Sequence, residues 1–518
     1  MNRSNNISRI KSEKLWDIII IGGGASGLGS AVESASRGYK TLLVERFDFA
    51  KGTSSRSTKL VHGGVRYLQN GDISLVIEAL KERALLRKNA PHLVKDLSFV
   101  IPSYDWWTTP FYGIGLKIYD MMAGDLGISP STILDKSETE SLIPNIKKKG
   151  LIGGVIYYDG QFDDARMAIS LAQTAENQNA VVVNYIEVID LIKGKDYTIS
   201  GIIVKDSFSE TIYRIKSKVV INATGVFSDS IMLMDDPKSS QMIQPSQGVH
   251  IVLEKKFLDC KHAIMVPYTT DGRVLFAVPW QNHVVLGTTD TQVNEVKIEP
   301  RALSDEIDFI ISNAGEYMTS KPQKKDIKSI YVGLRPLAIS ENNSESTEEI
   351  SRHHKIKIST SGLISILGGK WTTYRKIGED AINSAIILGG LKASKSLTEN
   401  LAIHGYNKNP DFDDPLHVYG SDLNKIKSLT NDPNGNKSLS KKLHITKHQI
   451  LWAIQKEMAL TLEDVLARRT RCLFLDVFET EKLIDKVLKI MGETLNKGQN
   501  WKNEQKLSFL YLTKNYKI

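Results

Sequence analysis

The feature that most restricts this chain lies near its N-terminus, where Trp16-Asp17-Ile18-Ile19-Ile20-Ile21 runs directly into Gly22-Gly23-Gly24-Ala25-Ser26-Gly27. A β-branched apolar run closed by glycines is the signature of a strand buried on both faces. ASGLGSAVESASRG then reads as a helix and KTLLVER as a second strand. Strand, glycine turn, helix, strand forces a parallel pairing. The glycines satisfy G-x-G-x-x-G: the first makes the tight turn, the second lets the backbone approach a pyrophosphate, and the third allows close helix–strand packing. The pyrophosphate then meets the N–H groups and dipole of the helix N-terminus. Glu45 stands 23 positions after Gly22, at the end of the second strand, where a carboxylate can accept from a ribose. That acid disfavours a 2′-phosphate and hence NADP. The motif alone does not separate FAD from NAD.

The rest of the chain is organised around this unit. Its 518 residues imply two or three domains, and 41% hydrophobic with 24% charged residues suits a soluble globular protein with a large core. A Ser/Thr-rich loop (KGTSSRSTKLVHGG) follows the second strand, then an amphipathic helix over roughly 72–90. QFDDARMAISLAQTAENQNAVVVNYIEVIDL reads as helix then strand, and KVVINATG as a buried strand entering a turn. Alternation in GVHIVL, RVLFAVPW and HVVLGTTD predicts antiparallel strands over 240–300. A polar loop occupies 341–354, and from about 390 the pattern becomes helical, broken by a loop at 431–438.

Two cysteines, Cys260 and Cys472, far apart and in no metal-ligand spacing, point to a reducing compartment and to no metal. The polar opening residues lack the apolar core of a signal peptide, and no run is long enough to span a bilayer. A net charge of +8 permits anionic lipid, nucleic acid or phosphorylated substrates and selects none of them. Aromatic–basic interleaving and recognition motifs are missing, so no nucleic-acid partner is expected.

Chemistry enters through local composition. Thr53, Ser54, Ser55, Thr58 and Lys59 supply hydroxyls, amides and one cation directly after the dinucleotide unit, a setting suited to phosphate or flavin polar atoms. Asn222-Ala223-Thr224-Gly225 ends a buried strand, where open α/β sheets bind ligands. The loop Thr53–Leu68, with EALKERALLRKNAPHL, DDAR, INATG, VPW, GTTDT, GLRPL, GGKWTTYRK and TLEDVLARRTRCLFLD in the same order, resembles the FAD-dependent (aerobic, respiratory) glycerol-3-phosphate dehydrogenases over about residues 15–480.

The resemblance implies an α/β fold. Its Rossmann-type FAD-binding domain is of the glutathione-reductase/D-amino-acid-oxidase type and takes residues 15–75, 150–232 and 355–390. An antiparallel-sheet substrate domain takes 76–149 and 233–354, and a helical cap without chemistry of its own takes 391–518. FAD contacts are expected from Gly22, Gly24, Ala25, Gly27, Glu45, Arg46, Thr53, Ser54, Ser55, Thr58, Lys59, His62, Gly64, Val188, Ala223, Thr224, Gly225, Gly369, Lys370 and Thr372. The implied reaction is oxidation of sn-glycerol 3-phosphate to dihydroxyacetone phosphate, with electrons passed to a membrane quinone.

Oxidising a secondary alcohol beside a flavin needs a proton acceptor, an aimed C–H bond and cations for the phosphate. Arg66, Arg335 and Lys370 match the family's cation positions, and Tyr67 follows Arg66 as a hydrogen-bonding partner. His62 and His250 are both candidate bases, with bound water a third. The family usually reads lysine-glycine-serine-histidine where this chain has Gln247-Gly248-Val249-His250.

The alternative activity is a glycerol-3-phosphate oxidase producing hydrogen peroxide. Such oxidases generally carry a longer insertion near GLRPL, so the short 341–354 loop favours the dehydrogenase. An amine or amino-acid oxidase would need a carboxylate site in place of the phosphate cations.

Delivery to quinone implies a cytoplasmic protein held peripherally on the inner face of the cytoplasmic membrane. The stretch DWWTTPFYGIGLKIYDMM reads either as an interfacial surface or as a packed core element. Basic runs at Lys441-Lys442 and Arg468-Arg469 read as solvated faces, and Thr461-x-x-Asp464 as a helix-capping box. A homodimer is left open.

Overall fold

The computed structural model describes residues 1–64, 72–339 and 354–518. Trp16–Ile21 forms the centre of the first sheet, paired in parallel with Thr41–Val44 on one side and Ile212–Asn222 on the other. Val181–Val183 and Leu363–Leu367 extend the parallel order outward. The isoleucine run is continuous because both faces are covered. Ile18 and Ile20 pack with Leu28, Ala168 and Ile377 from helices Ala25–Ser36, Asp164–Asn177 and Tyr374–Leu388. Ile19 and Ile21 pack with Val188, Ile202 and Ile231 on the opposite side. Each such buried side chain contributes about 1.5–3 kcal/mol.

Among the described residues the second sheet has ten strands, with Ile243–Glu254 flanked by His283–Gly287 and Ser329–Ala338. The strands expected over 240–300 are antiparallel. Ala263–Val266 joins them in parallel to Val94–Ser103. One expected boundary shifts. Leu60–Val61 and Gly153–Phe162, read from sequence as part of the cofactor domain, belong to this second sheet. Val94–Ser103 and Gly153–Phe162 align residue for residue along their whole length, a non-local ladder that no local pattern announces.

The segment after 390 is less helical than its pattern suggests. Up to about residue 446 it is mostly turns, where Asp411, Asp414 and Asp432 accept from nearby backbone N–H groups. Helices Lys447–Lys456, Val477–Thr494 and Gln499–Thr513 then enclose a core of Ile450, Leu462, Phe474 and Val487, which also takes in Tyr331 and Val252 of the second sheet. Thr461 and Asp464 cap each other as expected: each side chain accepts from the other's backbone N–H.

The Arg468-Arg469 pair, by contrast, is not a solvated face. Both guanidinium groups are buried on Asp48, with Nε–Oδ2 and Nη1–Oδ2 distances of 2.6 and 2.7 Å. Lys441 and Lys442 are exposed.

The aromatic stretch is a helix, Thr108–Ala123, with one buried and one exposed face. Tyr112, Leu116 and Tyr119 point inward, whereas Trp106 (77% exposed), Trp107, Phe111, Ile114, Ile118 and Met121 (81%) face outward. Among the described residues, no helix is long and apolar enough to cross a membrane.

Candidate functional site

Two cavities meet in the middle of the molecule. The first, about 340 Å³, lies at the carboxyl end of the parallel strands. The glycine turn forms its floor. A Cβ on Gly22 would meet the Ala223 carbonyl oxygen at 2.6 Å, and one on Gly27 would meet the Gly22 carbonyl oxygen at 1.9 Å. The backbone there is drawn together more tightly than any side chain permits. The helix starting at Ala25 has no side-chain cap at Gly24, and the Ala25 N–H donates to Ser54 Oγ at 2.9 Å. That helix N-terminus suits an anion.

Glu45 is half-buried and accepts from the Gly23 and Phe47 N–H groups at 2.6 and 2.8 Å. Burial pushes its carboxyl above the usual range, and those two bonds only partly oppose it. Arg46, Thr53, Val188, Ala223, Thr224 and Gly225 line the same cavity. The closed glycine floor, the anion-facing helix start and the acid at the strand end fit the ADP half of a dinucleotide such as FAD.

The second cavity, about 330 Å³, shares Thr53, Pro336, Gly368, Gly369, Lys370 and Trp371 with the first. It is lined by Thr58, His62, Gly64, His250, Arg335 and Thr372, residues from four separate stretches of chain. Arg335 is oriented by the Thr289 carbonyl (2.9 Å), Asp290 (3.1 Å) and Thr288 Oγ1 (3.2 Å). A guanidinium carries five donors in a fixed fork, so this anchoring sets its aim toward an anion. His250 stacks on Tyr331 with ring centroids 4.7 Å apart, and its Nε2 lies 2.9 Å from Thr58 Oγ1. Burial, with the Lys59 and Arg335 charges, holds the imidazole well below its ordinary range, so it is neutral near pH 7. The His62 N–H donates to Thr372 Oγ1 at 3.3 Å.

Three expected contacts do not reach either cavity. Lys59 is buried and turned inward: its ammonium contacts Asp164 Oδ2 and the Ser55 carbonyl, both at 2.8 Å, over the rings of Trp280, Tyr331 and Phe474. Burial pulls it down to about 7 despite the Asp164 charge. Ser55 likewise gives its carbonyl to Lys59 and to Arg471. Gly27 lies outside both cavity linings and packs against the Gly22 carbonyl. The Lys59 cation and the Ser55 carbonyl thus hold the loop's own shape, because a charge inside the fold is met by the carboxylate already there.

Arg66 and Tyr67 lie outside the described residues, as does nearly all of the 341–354 loop. Sequence reasoning passed over Arg273, Asp159 and Trp371, all on the cavity walls. Trp371 stood inside the GGKWTTYRK block, and its Nε1–H donates to the Ser54 carbonyl at 2.8 Å. For Arg273 and Asp159 no local signal existed. Among the described residues, no cluster of three or more His, Cys, Asp or Glu side chains is arranged to hold a metal ion.

Comparison with known proteins agrees with this geometry. Residues 17–375 match the family model described as FAD dependent oxidoreductase, and residues 383–506 match the C-terminal domain of alpha-glycerophosphate oxidase. The mitochondrial glycerol-3-phosphate dehydrogenase of Homo sapiens is 38% identical, covering 100% of this chain and 76% of that protein. The mitochondrial enzyme of Schizosaccharomyces pombe is 35% identical over 95% and 86%. Among solved structures, the glycerol-3-phosphate dehydrogenase of Bacillus halodurans complexed with FAD superposes with a TM-score of 0.80 at 26% identity, covering 99% of this chain and 97% of that one. An L-alpha-glycerophosphate oxidase from Mycoplasma pneumoniae shares the fold at a TM-score of 0.57 and 18% identity over 75% and 98%. The chain is therefore a flavoprotein oxidoreductase that belongs to the FAD-dependent glycerol-3-phosphate dehydrogenase family.

Proposed function

We propose that this protein oxidises sn-glycerol 3-phosphate to dihydroxyacetone phosphate and passes the electrons to a membrane quinone. The observation that carries the reading is the junction at Gly368–Trp371, which joins a dinucleotide-shaped cavity to a second one bearing Arg335, His62 and His250. When bound, FAD supplies the acceptor for the hydride leaving C2 of the alcohol.

The protein's own groups do the rest. Arg335, held by Asp290 and Thr289, takes the phosphate, with Arg66, Tyr67 and Lys370 as further contacts. Lys370 at the junction also favours the negative charge of the reduced flavin. The hydroxyl proton goes to His62 or His250. A neutral imidazole at His250, desolvated and stacked on Tyr331, is in the protonation state a base requires.

The acceptor side rests on the outward face of Thr108–Ala123. Six large exposed apolar side chains on and just before one helix form a surface suited to a bilayer interface. We assign the docking of the protein on the inner face of the cytoplasmic membrane to this helix. Anaerobic addition of sn-glycerol 3-phosphate to the yellow FAD-loaded protein tests the substrate: prompt bleaching is expected, and persistent colour would reject it. Reoxidation of the bleached protein by a quinone analogue faster than by oxygen is expected. The reverse order would favour the oxidase.

A further inference from the structure

Asp159 sits in the strand Gly153–Phe162, is 2% exposed, and lies on the wall of the cavity that holds His62 and Arg335. Its carboxylate gathers three elements. Arg83, from helix Ile73–Asn89, donates through Nη1 to Oδ1 at 2.6 Å. Tyr119, from helix Thr108–Ala123, donates its hydroxyl at 3.2 Å. The third donor is the backbone N–H of Gly63, also at 3.2 Å.

The same turn is clamped sterically. A Cβ on Gly63 would stand 2.2 Å from the Tyr119 hydroxyl and 2.5 Å from Leu80 Cδ2, so only glycine lets the two helices approach this closely. The turn is held on its other side by the bond from the His62 N–H to Thr372 Oγ1. A buried carboxylate needs donors beyond its ion-pair partner, and here one of them is the backbone N–H of Gly63, between His62 and Gly64.

We propose that Asp159 is a positioning residue for the reaction: it holds the His62–Gly64 turn in register with Thr372, and Tyr119 ties that turn to the helix Thr108–Ala123. This rests on the reading of the cavity as the substrate site. Tyr119 and the outward Ile118 are neighbours on one helix, so the link runs from the apolar outer face to the turn through a single side chain. Displacing a catalytic group by about 1 Å can cost on the order of 10²-fold in rate, so a single missing hydroxyl here acts on turnover rather than on affinity.

The test uses the full-length FAD-loaded protein with Tyr119→Phe and Asp159→Asn. Three quantities are measured: the limiting rate of anaerobic flavin bleaching against its half-saturating sn-glycerol 3-phosphate concentration, the visible flavin band, and hydrogen exchange of the segment 60–64. Roughly a ten- to hundredfold drop in limiting rate is expected, with half-saturation little changed, a shifted flavin band and faster exchange at 60–64. Variants that bind FAD and bleach at the unsubstituted rate would overturn the proposal. If Asp159→Asn fails to fold, Tyr119→Phe carries the test, since it deletes one hydroxyl and leaves the Arg83–Asp159 pair intact. If the unsubstituted protein does not bleach with this substrate, the functional reading fails by itself. Exchange at 60–64 and the flavin band then decide the link: changes in both sustain it, and unchanged values sink it.

Discussion

Replacing Asp48 by asparagine removes the charge on which the C-terminal region is docked. The carboxylate accepts four bonds: Arg468 Nε at 2.6 Å, Arg469 Nη1 and Nη2 at 2.7 and 2.9 Å, and Asn184 Nδ2 at 3.2 Å. All three cation-pair members are buried. Asparagine offers one acceptor oxygen in place of two and no charge. Arg468 keeps Glu463 and Asp464, whereas Arg469 keeps, among the described residues, the more distant Glu457 carboxylate, 3.6 Å away, and its carbonyl at 2.7 Å.

Breaking a buried pair from one side costs about 3–5 kcal/mol, which is roughly two to three and a half powers of ten in the docking equilibrium. Ala50, Lys51 and Gly52, two to four positions after Asp48, line the wall of the cofactor cavity, so FAD retention should weaken with docking. The assay is urea titration followed in parallel by tryptophan fluorescence and by release of flavin fluorescence. Because several domains are present, midpoints are compared rather than a single unfolding free energy. Both midpoints should fall. Midpoints equal to those of the unsubstituted protein would refute the reasoning, by showing that an amide replaces the carboxylate between two arginines.

Arg335→Ala should raise KM for sn-glycerol 3-phosphate strongly while FAD stays bound; an unchanged KM in dye-reduction kinetics would remove Arg335 from the substrate site. Gly27→Ala forces the helix away from the Gly22 carbonyl, at about 1–3 kcal/mol for overpacking, and FAD should be lost on gel filtration. Acid should undo the docking. Although burial opposes their ionisation, Arg469 and Arg468 hold Asp48 well below the usual carboxylate range, and Arg468 and Lys51 hold Glu463 at about 2. Both folded values lie below the unfolded ones, so the stabilisation is complete above about pH 4.5 and is lost as pH falls toward 2; a flavin-release midpoint that ignored this window would contradict it. Trp106→Ser combined with Ile118→Ser should weaken co-sedimentation with anionic vesicles, each side chain being worth about 1.5–3 kcal/mol of burial, without changing bleaching in solution.

The sequence by itself determined everything that depends on near neighbours. Four isoleucines before a glycine turn announce a doubly covered strand, and the spacing of Gly22, Gly24, Gly27 and Glu45 announces a dinucleotide. Alternation over 240–300 announces antiparallel strands, and blocks such as GLRPL and GGKWTTYRK carry the family. Only the tertiary structure decided where charges go. Lys59, in a loop that suggested an anion site, turned inward to Asp164, 105 positions away. Arg468 and Arg469, a basic run that suggested a wet face, closed on Asp48 across 420 and 421 positions. Asp159 became part of a site because Gly63 was folded onto it. Periodicity and turn chemistry are set within a few residues along the chain. The burial of a charge depends on whether a partner of opposite sign arrives from elsewhere, and that is a property of the fold.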